Sequence, residues 1–168
     1  AQKGTALHMV MQYLDYSRTD SAADIDGEIS RLVLGQYITP QQGAAVNPLD
    51  ILAFFCSELG VRLRRSPRVE REFKFSLLVP AGDYYDGTPP GEEVLLQGVV
   101  DCWFVEEDGA VTVVDFKTDR VSEAGVERRA EDYRPQLDAY TRALARAAGV
   151  AVKRRYLWFF SMGRAVEV

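Results

Sequence analysis

Through the first 66 or so residues, apolar positions recur at intervals of three and four. In "GTALHMVMQYLDY", Leu7, Val10, Met11 and Leu14 share one side, which predicts an amphipathic helix. Residues from about Ala22 to Gly35 repeat the pattern, with Ile25, Ile29, Leu32 and Val33 inward. "NPLDILAFFCSELG" predicts a third helix. Asn47 can accept from its first free N–H groups, Pro48 fits the first turn, and Gly60 can close the last. A short helical turn is expected after Thr39-Pro40.

The period then changes. In "VEREFKFSLLV", Val69, Phe73, Phe75, Leu77 and Val79 alternate with Glu70, Glu72, Lys74 and Ser76, the mark of a half-buried strand. "PAGDYYDGTPPGEE" is too rich in Gly, Pro and acid to be an element. "VLLQGVVDCWFV" and "VTVVDFK" read as strands joined by the hairpin turn "EEDGA". "YRPQLDAYTRALARAAG" reads as a helix ending at Gly149, "VKRRYLWFF" as a fourth strand, and "RAVEV" as a short edge strand. The predicted fold is one α/β domain over residues 1–168, with a helical part to about residue 66 and a mixed sheet after it. Strands one to three form an antiparallel meander. A helix from about Arg134 then crosses over, right-handed, so that strand four lies parallel to strand three.

Composition narrows the class. The 168 residues suffice for one domain with a core, and 47% hydrophobic with 27% charged residues is ordinary for a soluble protein. No apolar run approaches the roughly 20 residues that span a bilayer, and no secretory signal opens the chain, so a cytoplasmic protein without membrane partners is expected. The chain enters a helical pattern straight from Ala1, as a domain cut from a longer protein would. Cys56 and Cys102 form no CxxC pair, which argues against an iron–sulfur cluster or a cysteine zinc site; two reduced, mostly buried thiols are expected. The formal net charge is −5, yet basic residues crowd Arg62 to Lys74, and Arg142, Arg146, Lys153, Arg154, Arg155 and Arg164 fall in a stretch free of acids. The two basic clusters leave room for a phosphate-binding surface, expected near Arg142 to Arg155, with acidic Asp15–Glu28 and Asp83–Glu93 keeping a polyanion off other faces.

The chemistry concentrates in two strands. Asp115 and Lys117 stand two apart and so share a face. The hairpin brings Asp101 alongside Asp115. Two carboxylates in low-dielectric surroundings repel by a few kcal/mol, which a divalent metal offsets best. A lone DxK is often only a surface ion pair, and a lone histidine on an apolar helix is often a core residue. His8, the one histidine in the chain, follows "GTAL" at a helix start.

"GTALH", "EREFKF", "LLQGVVDCWF", "VVDFKTD" and "YRPQLDAY" occur in the order and spacing of RecB-type nuclease domains of the PD-(D/E)XK superfamily. The chain most resembles the C-terminal nuclease domain of AddA subunits of bacterial helicase–nucleases, from Gly4 to about Val168. That resemblance implies a restriction-endonuclease-like core. It implies metal ligands at His8, Asp101, Asp115 and the Phe116 carbonyl, with Lys117, Asp115 and Asp101 as the catalytic set. Glu72 matches a glutamate that serves a second metal or positions the site, and Gln136, Tyr140 and Tyr133 match residues that position the site or the DNA. The implied cofactor is Mg²⁺ or Mn²⁺, with no nucleotide in this domain. The implied activity is cleavage of single-stranded DNA delivered by helicase domains of the same subunit, beside an AddB-like partner, in double-strand break repair and recombination. Val100 stands where the superfamily's name-giving dipeptide has proline. Two other readings stay open: a non-catalytic DNA-binding or scaffold module on the same fold, and a metal-dependent hydrolase of another phosphoester.

Overall fold

A computed structural model describes residues 2–168, with side chains from residue 4 onward. Helices α1 (Gln2–Tyr13), α2 (Ala22–Leu34), α3 (Pro40–Ala45), α4 (Pro48–Cys56) and α5 (Glu58–Arg65) come first. Strands β1 (Arg68–Pro80), β2 (Glu93–Val105) and β3 (Val111–Lys117) follow, then α6 (Val126–Ala143), β4 (Val152–Phe159) and β5 (Arg164–Glu167). The strands form one sheet in chain order, parallel only between β3 and β4. This is the mixed α/β sheet, with a helical crossover, that the sequence pattern predicts.

Polar side chains start the helices. Ser21, Thr39, Asn47 and Ser57 each accept a hydrogen bond from a first-turn N–H of the helix they precede, satisfying donors that would otherwise stay orphaned. The expected helix from Asn47 to Gly60 is in fact two. Ser57 takes an extended conformation that ends α4, and its Oγ accepts from Gly60 N at 3.1 Å to begin α5. Gly60 therefore closes nothing. A Cβ there would lie 2.0 Å from the Phe54 carbonyl oxygen, so the residue is glycine because two helices meet backbone to backbone. α6 also departs from expectation. It begins at Val126, well before Arg134, and holds Pro135 inside it. It ends in a π-turn over Leu144–Ala148, closed by Gly149 at φ 67°.

Two cores flank the sheet. The α1–α5 side gathers Leu7, Phe54, Phe55, Phe104, Phe116 and Trp158; the α6 side gathers Trp103, Val113, Leu137, Leu157 and Phe159. Each such fully buried side chain contributes roughly 1.5–3 kcal/mol. Buried Glu28 ties the α1–α2 loop down, accepting from Asp15 N at 3.1 Å and pairing with Arg31 at 2.7 Å and Arg18 at 3.2 Å.

Alternation fails at one position in each of two strands. Val69 packs into the α1–α5 core but Phe73 into the α6 core, although both are odd-numbered on β1. On β2, Cys102 belongs to the first core and Val100 to the second. The β1–β2 register does not slip: Arg71 pairs with Cys102 and Phe73 with Val100, with no ladder pair between them. Glu72 and Asp101 occupy that gap, and Glu72 has φ 53°, a left-handed conformation rare in strands. The hairpin turns over at these two acids. Beyond them, Lys74, Ser76, Leu78, Leu95 and Gln97 are exposed on the face that the α1–α5 layer no longer covers.

Gly60→Ala is expected to cost at least about 3 kcal/mol, because the added methyl meets backbone that cannot rotate away. Urea unfolding would show it as a lowered midpoint; an unchanged midpoint would refute the close approach.

Candidate active site

The β2–β3 ladder has only four pairs, from Val105↔Val111 to Cys102↔Val114. One step further, the same register would set Asp101 opposite Asp115. The strands part there instead, and Asp101 Oδ2 accepts from Phe116 N at 2.8 Å, a side chain standing in for the missing ladder bond. Asp115, 2% exposed, lies at the bottom of the opening, while Asp101 stands at its mouth.

His8 reaches this point from α1. Gly4 lets the start of that helix press on Thr118, where a Cβ would lie 2.6 Å from Oγ1. The His8 ring sits with Nδ1 3.0 Å from Gly4 O and Nε2 2.8 Å from Phe116 O, and Asp101 Oδ2 is 3.5 Å from Nε2. Both ring nitrogens face oxygens, so both donate. Asp101, working against burial, raises the His8 pKa to about 9. Asp115 is raised to about 7, first by burial and then by the Asp101 charge, with Lys117 pulling the other way. Glu72 is raised as well, by burial and by Asp101.

Lys117 lies one pleat beyond Asp115 and forms an ion pair with it. Asp115 Oδ2 is sealed from solvent yet has no well-directed hydrogen bond. α6 supplies the rest. Lys117 Nζ donates to Gln136 Oε1 at 2.8 Å, and Gln136 Nε2 donates to Tyr140 Oη at 2.6 Å. Gln136 and Tyr140 are one turn apart and face the site together. The Tyr140 hydroxyl is pushed well above its ordinary pKa, first by burial and then by Asp115 and Asp101. The Tyr133 ring lies under the ammonium, 3.8 Å from Nζ to the centroid.

All the residues singled out from sequence therefore meet around the parted end of β2 and β3. Two were missed, Asp119 and Arg129, whose hydrogen bonds hold the Tyr133 hydroxyl. The signals were present: Asp119 follows Lys117 by two residues, and Arg129 precedes Tyr133 by one helical turn. Cys102 is buried, with its thiol pushed up to about 12 by burial, so it is no nucleophile at neutral pH. Cys56 is exposed, not buried as expected, because it lies on the outer side of α4.

The donor set suits a hard divalent cation: two carboxylates, a main-chain carbonyl and one imidazole, with Asp115 Oδ2 lacking a directed partner. Among the described residues, no three His, Cys, Asp or Glu side chains already converge as a cage. His8 is turned to the Phe116 carbonyl and Asp115 to Lys117. The residues fit a cation that replaces a proton and displaces an ammonium.

A family model described as the PD-(D/E)XK nuclease superfamily matches residues 1–167. The chain belongs to the PD-(D/E)XK nuclease superfamily. Its fold is the restriction-endonuclease-like α/β fold, and the nuclease domain is a hydrolase of that superfamily. The similar relatives are AddA proteins, named as subunits of an ATP-dependent helicase/nuclease. The protein of Acetivibrio thermocellus is 43% identical over 168 residues, covering 98% of this chain and 13% of that protein. Those of Clostridium botulinum strain 657 and Clostridium novyi are each 36% identical over the whole chain, covering 13% and 14% of their lengths. The chain thus spans about an eighth of these relatives. A solved structure, "Crystal structure of SSO0001", aligns with 97% of this chain and 64% of that chain at a TM-score of 0.43 and 18% identity, too distant to carry an argument.

The charge arrangement sets a pH response. His8 and Asp115 both have folded pKa values above their ordinary ones, so each adds stability at low pH and loses it as pH rises through the folded value. Without divalent ions, the thermal midpoint of the nuclease domain is expected to fall from pH 5 to pH 9. Asp115→Asn should remove the part of that fall lying below about pH 7. A midpoint that rises with pH, or a fall that persists unchanged in Asp115→Asn, would contradict the assignment.

Proposed function

We propose that this nuclease domain hydrolyses the phosphodiester bonds of single-stranded DNA with the help of Mg²⁺ or Mn²⁺. The observation that supports the reading best is the pairing of Asp101 and Asp115 at a parted ladder, with Lys117 on the same face as Asp115. Asp101, Asp115, the Phe116 carbonyl and His8 Nε2 would hold the cation. His8 would give up its Nε2 proton while its Nδ1–H stays on Gly4 O, which keeps the ring oriented. The bound ion would neutralise the scissile phosphate and lower the pKa of its water. Lys117, held by Gln136, would stand ready to orient that water or balance charge growing on the phosphate oxygens. Glu72 would serve a second ion or steady the mouth of the site. Tyr133, Gln136 and Tyr140 would position the lysine and the DNA.

The relatives' name supports a wider context, in which helicase domains of one long subunit deliver a separated strand to this domain. By its resemblance, the domain would work beside an AddB-like subunit in the cytoplasm, in double-strand break repair and recombination. A purely DNA-binding module on this fold would not need a buried carboxylate lacking a directed partner.

Much of the basic run expected to bind phosphate near Arg142 to Arg155 is paired with acids. Arg142 pairs with Asp83 at 3.1 Å, Arg154 with Asp108 at 2.9 Å, and Arg155 with Asp138 at 2.5 Å. Arg164 pairs with Glu123 at 2.6 Å, and Arg146 donates to Leu78 O at 3.1 Å. Acids elsewhere in the chain thus pair with Arg142, Arg154, Arg155 and Arg164, which reduces the free charge this face offers to phosphate. Unaided DNA binding should be weak and salt-sensitive.

Circular single-stranded DNA is expected to be cut in millimolar Mg²⁺ at low salt, faster than blunt linear duplex, with cleavage fading as salt rises. Equal or faster loss of the duplex would refute the substrate assignment. Lys117→Ala should lower the rate by about 10²–10³-fold with the fold intact. Asp115→Asn should abolish cleavage; near-wild-type rates in either variant would refute the site.

His8→Ala should weaken Mn²⁺ binding measured by calorimetry, and unchanged affinity would remove His8 from the ligand set. Mg²⁺ should raise the wild-type thermal midpoint, since it binds the native state alone.

A further inference from the structure

The Lys117 ammonium has three supports of different kinds. The Asp115 carboxylate supplies charge, Gln136 Oε1 accepts a hydrogen bond at 2.8 Å, and the Tyr133 ring face lies 3.8 Å from Nζ. A lysine ammonium is a compact charge on a flexible stem, so its position is only as fixed as the groups around it. Gln136 is itself fixed by Tyr140. The ring needs an equivalent.

It has one. The Tyr133 hydroxyl donates to Asp119 Oδ2 at 2.9 Å and accepts from Arg129 Nη2 at 2.8 Å. Arg129 Nε donates to the same Asp119 Oδ2 at 2.8 Å, and the guanidinium carbon stands 4.6 Å from the ring centroid. Three groups thus close a small cycle on one carboxylate oxygen. A phenol engaged both as donor and as acceptor cannot swing, and neither can its ring. The hydrogen bonds from Arg129 and Tyr133 hold the Asp119 carboxyl below its ordinary pKa in spite of burial, and burial with Asp119 pushes Tyr133 up to about 12. The cycle therefore keeps one protonation state across the neutral range.

Resting on the nuclease reading, we infer that Asp119 and Arg129 are positioning residues for Lys117, acting through the Tyr133 ring. The ring closes a side of the ammonium that the Gln136 oxygen does not fill. The ring and Gln136 remain beside the ammonium when Asp115 engages another cation and Lys117 withdraws from it. A cation over an aromatic face is worth roughly 0.5–2 kcal/mol, enough to select one arrangement of a flexible side chain. A role in stability alone fits less well. The Arg129 and Asp119 side chains are 42% and 28% exposed, and such ion pairs contribute about 0–1 kcal/mol to folding.

The test uses the purified domain with ¹³C-labelled lysine, the Lys117 ε-methylene resonance being assigned by its loss in Lys117→Arg. Ring current from Tyr133 should shift that resonance upfield. Tyr133→Leu should abolish the shift, Asp119→Ala and Arg129→Met should each reduce it by at least half, and Asp119→Asn should keep most of it. Thermal midpoints should stay within about 3 °C of wild type. In parallel, Asp119→Ala should lower kcat on single-stranded DNA by about tenfold to a hundredfold, with KM within about twofold. The double variant Asp119→Ala/Tyr133→Leu should be no slower than Tyr133→Leu alone, because both act through one ring. An unshifted Lys117 resonance in wild type, an undiminished shift in Asp119→Ala, additive losses, or a loss confined to KM would each overturn the inference. Should the wild type cut no DNA, the nuclease reading fails and the resonance still decides the clamp.

Discussion

Past Cys102 and Val114 the β2–β3 ladder runs into two carboxylates, and the strands part. Backbone groups freed at such a point must find partners, and the Asp101 side chain takes the Phe116 N–H. That substitution fixes Asp101 at the mouth of the opening and leaves the Phe116 carbonyl to His8. It also leaves Asp115 buried beneath. The other parts of the site are arranged around this vacated ladder position. α1 brings a histidine over one side of the sheet and α6 brings glutamine and tyrosine over the other, so the opening is reached from both layers.

A pair of acids so placed needs positive charge, and the fold supplies it in exchangeable form. A proton on His8 and the Lys117 ammonium balance the two carboxylates, and burial with the Asp101 charge raises the Asp115 pKa to about 7. On the proposed reading, the His8 proton and the Lys117 ammonium would give way to a divalent ion. The strain lies close by: Glu72 adopts φ 53° at the point where β1 and β2 turn over, beside Asp101. Left-handed backbone at a bulky residue costs roughly 1–3 kcal/mol and persists where its surroundings enforce it. Here the two cores enforce it, since Arg71 and Phe73 must face opposite layers.

Most elements were legible because burial imposes a period on sequence. Side-chain alternation alone gave the shared face of Asp115 and Lys117, and the hairpin gave the nearness of Asp101. What escaped were events that depend on contacts distant in sequence. Nothing local shows that Ser57 ends one helix and starts another, or that Gly60 is pressed against Phe54. Pro135 disguised the true start of α6, which lies in a polar stretch where helical period is faint. The run of arginines from Arg142 to Arg164 looked like a free cationic face because its partners, Asp83, Asp108 and Glu123 among them, lie elsewhere in the chain. Strict alternation misassigned Val69 and Phe73 to one face, because a strand can turn over without losing register.

The proposed chemistry depends on a cation site at the parted ladder of Asp101 and Asp115. It is tested most directly by crystals of the domain grown with Mn²⁺, with diffraction recorded on both sides of the manganese absorption edge. One anomalous peak is expected, bounded by Asp101, Asp115, the Phe116 carbonyl and His8 Nε2, with Lys117 withdrawn from Asp115 toward Gln136 and the Tyr133 ring. Manganese bound elsewhere, or no peak while His8 stays on the Phe116 carbonyl and Lys117 stays on Asp115, would contradict it.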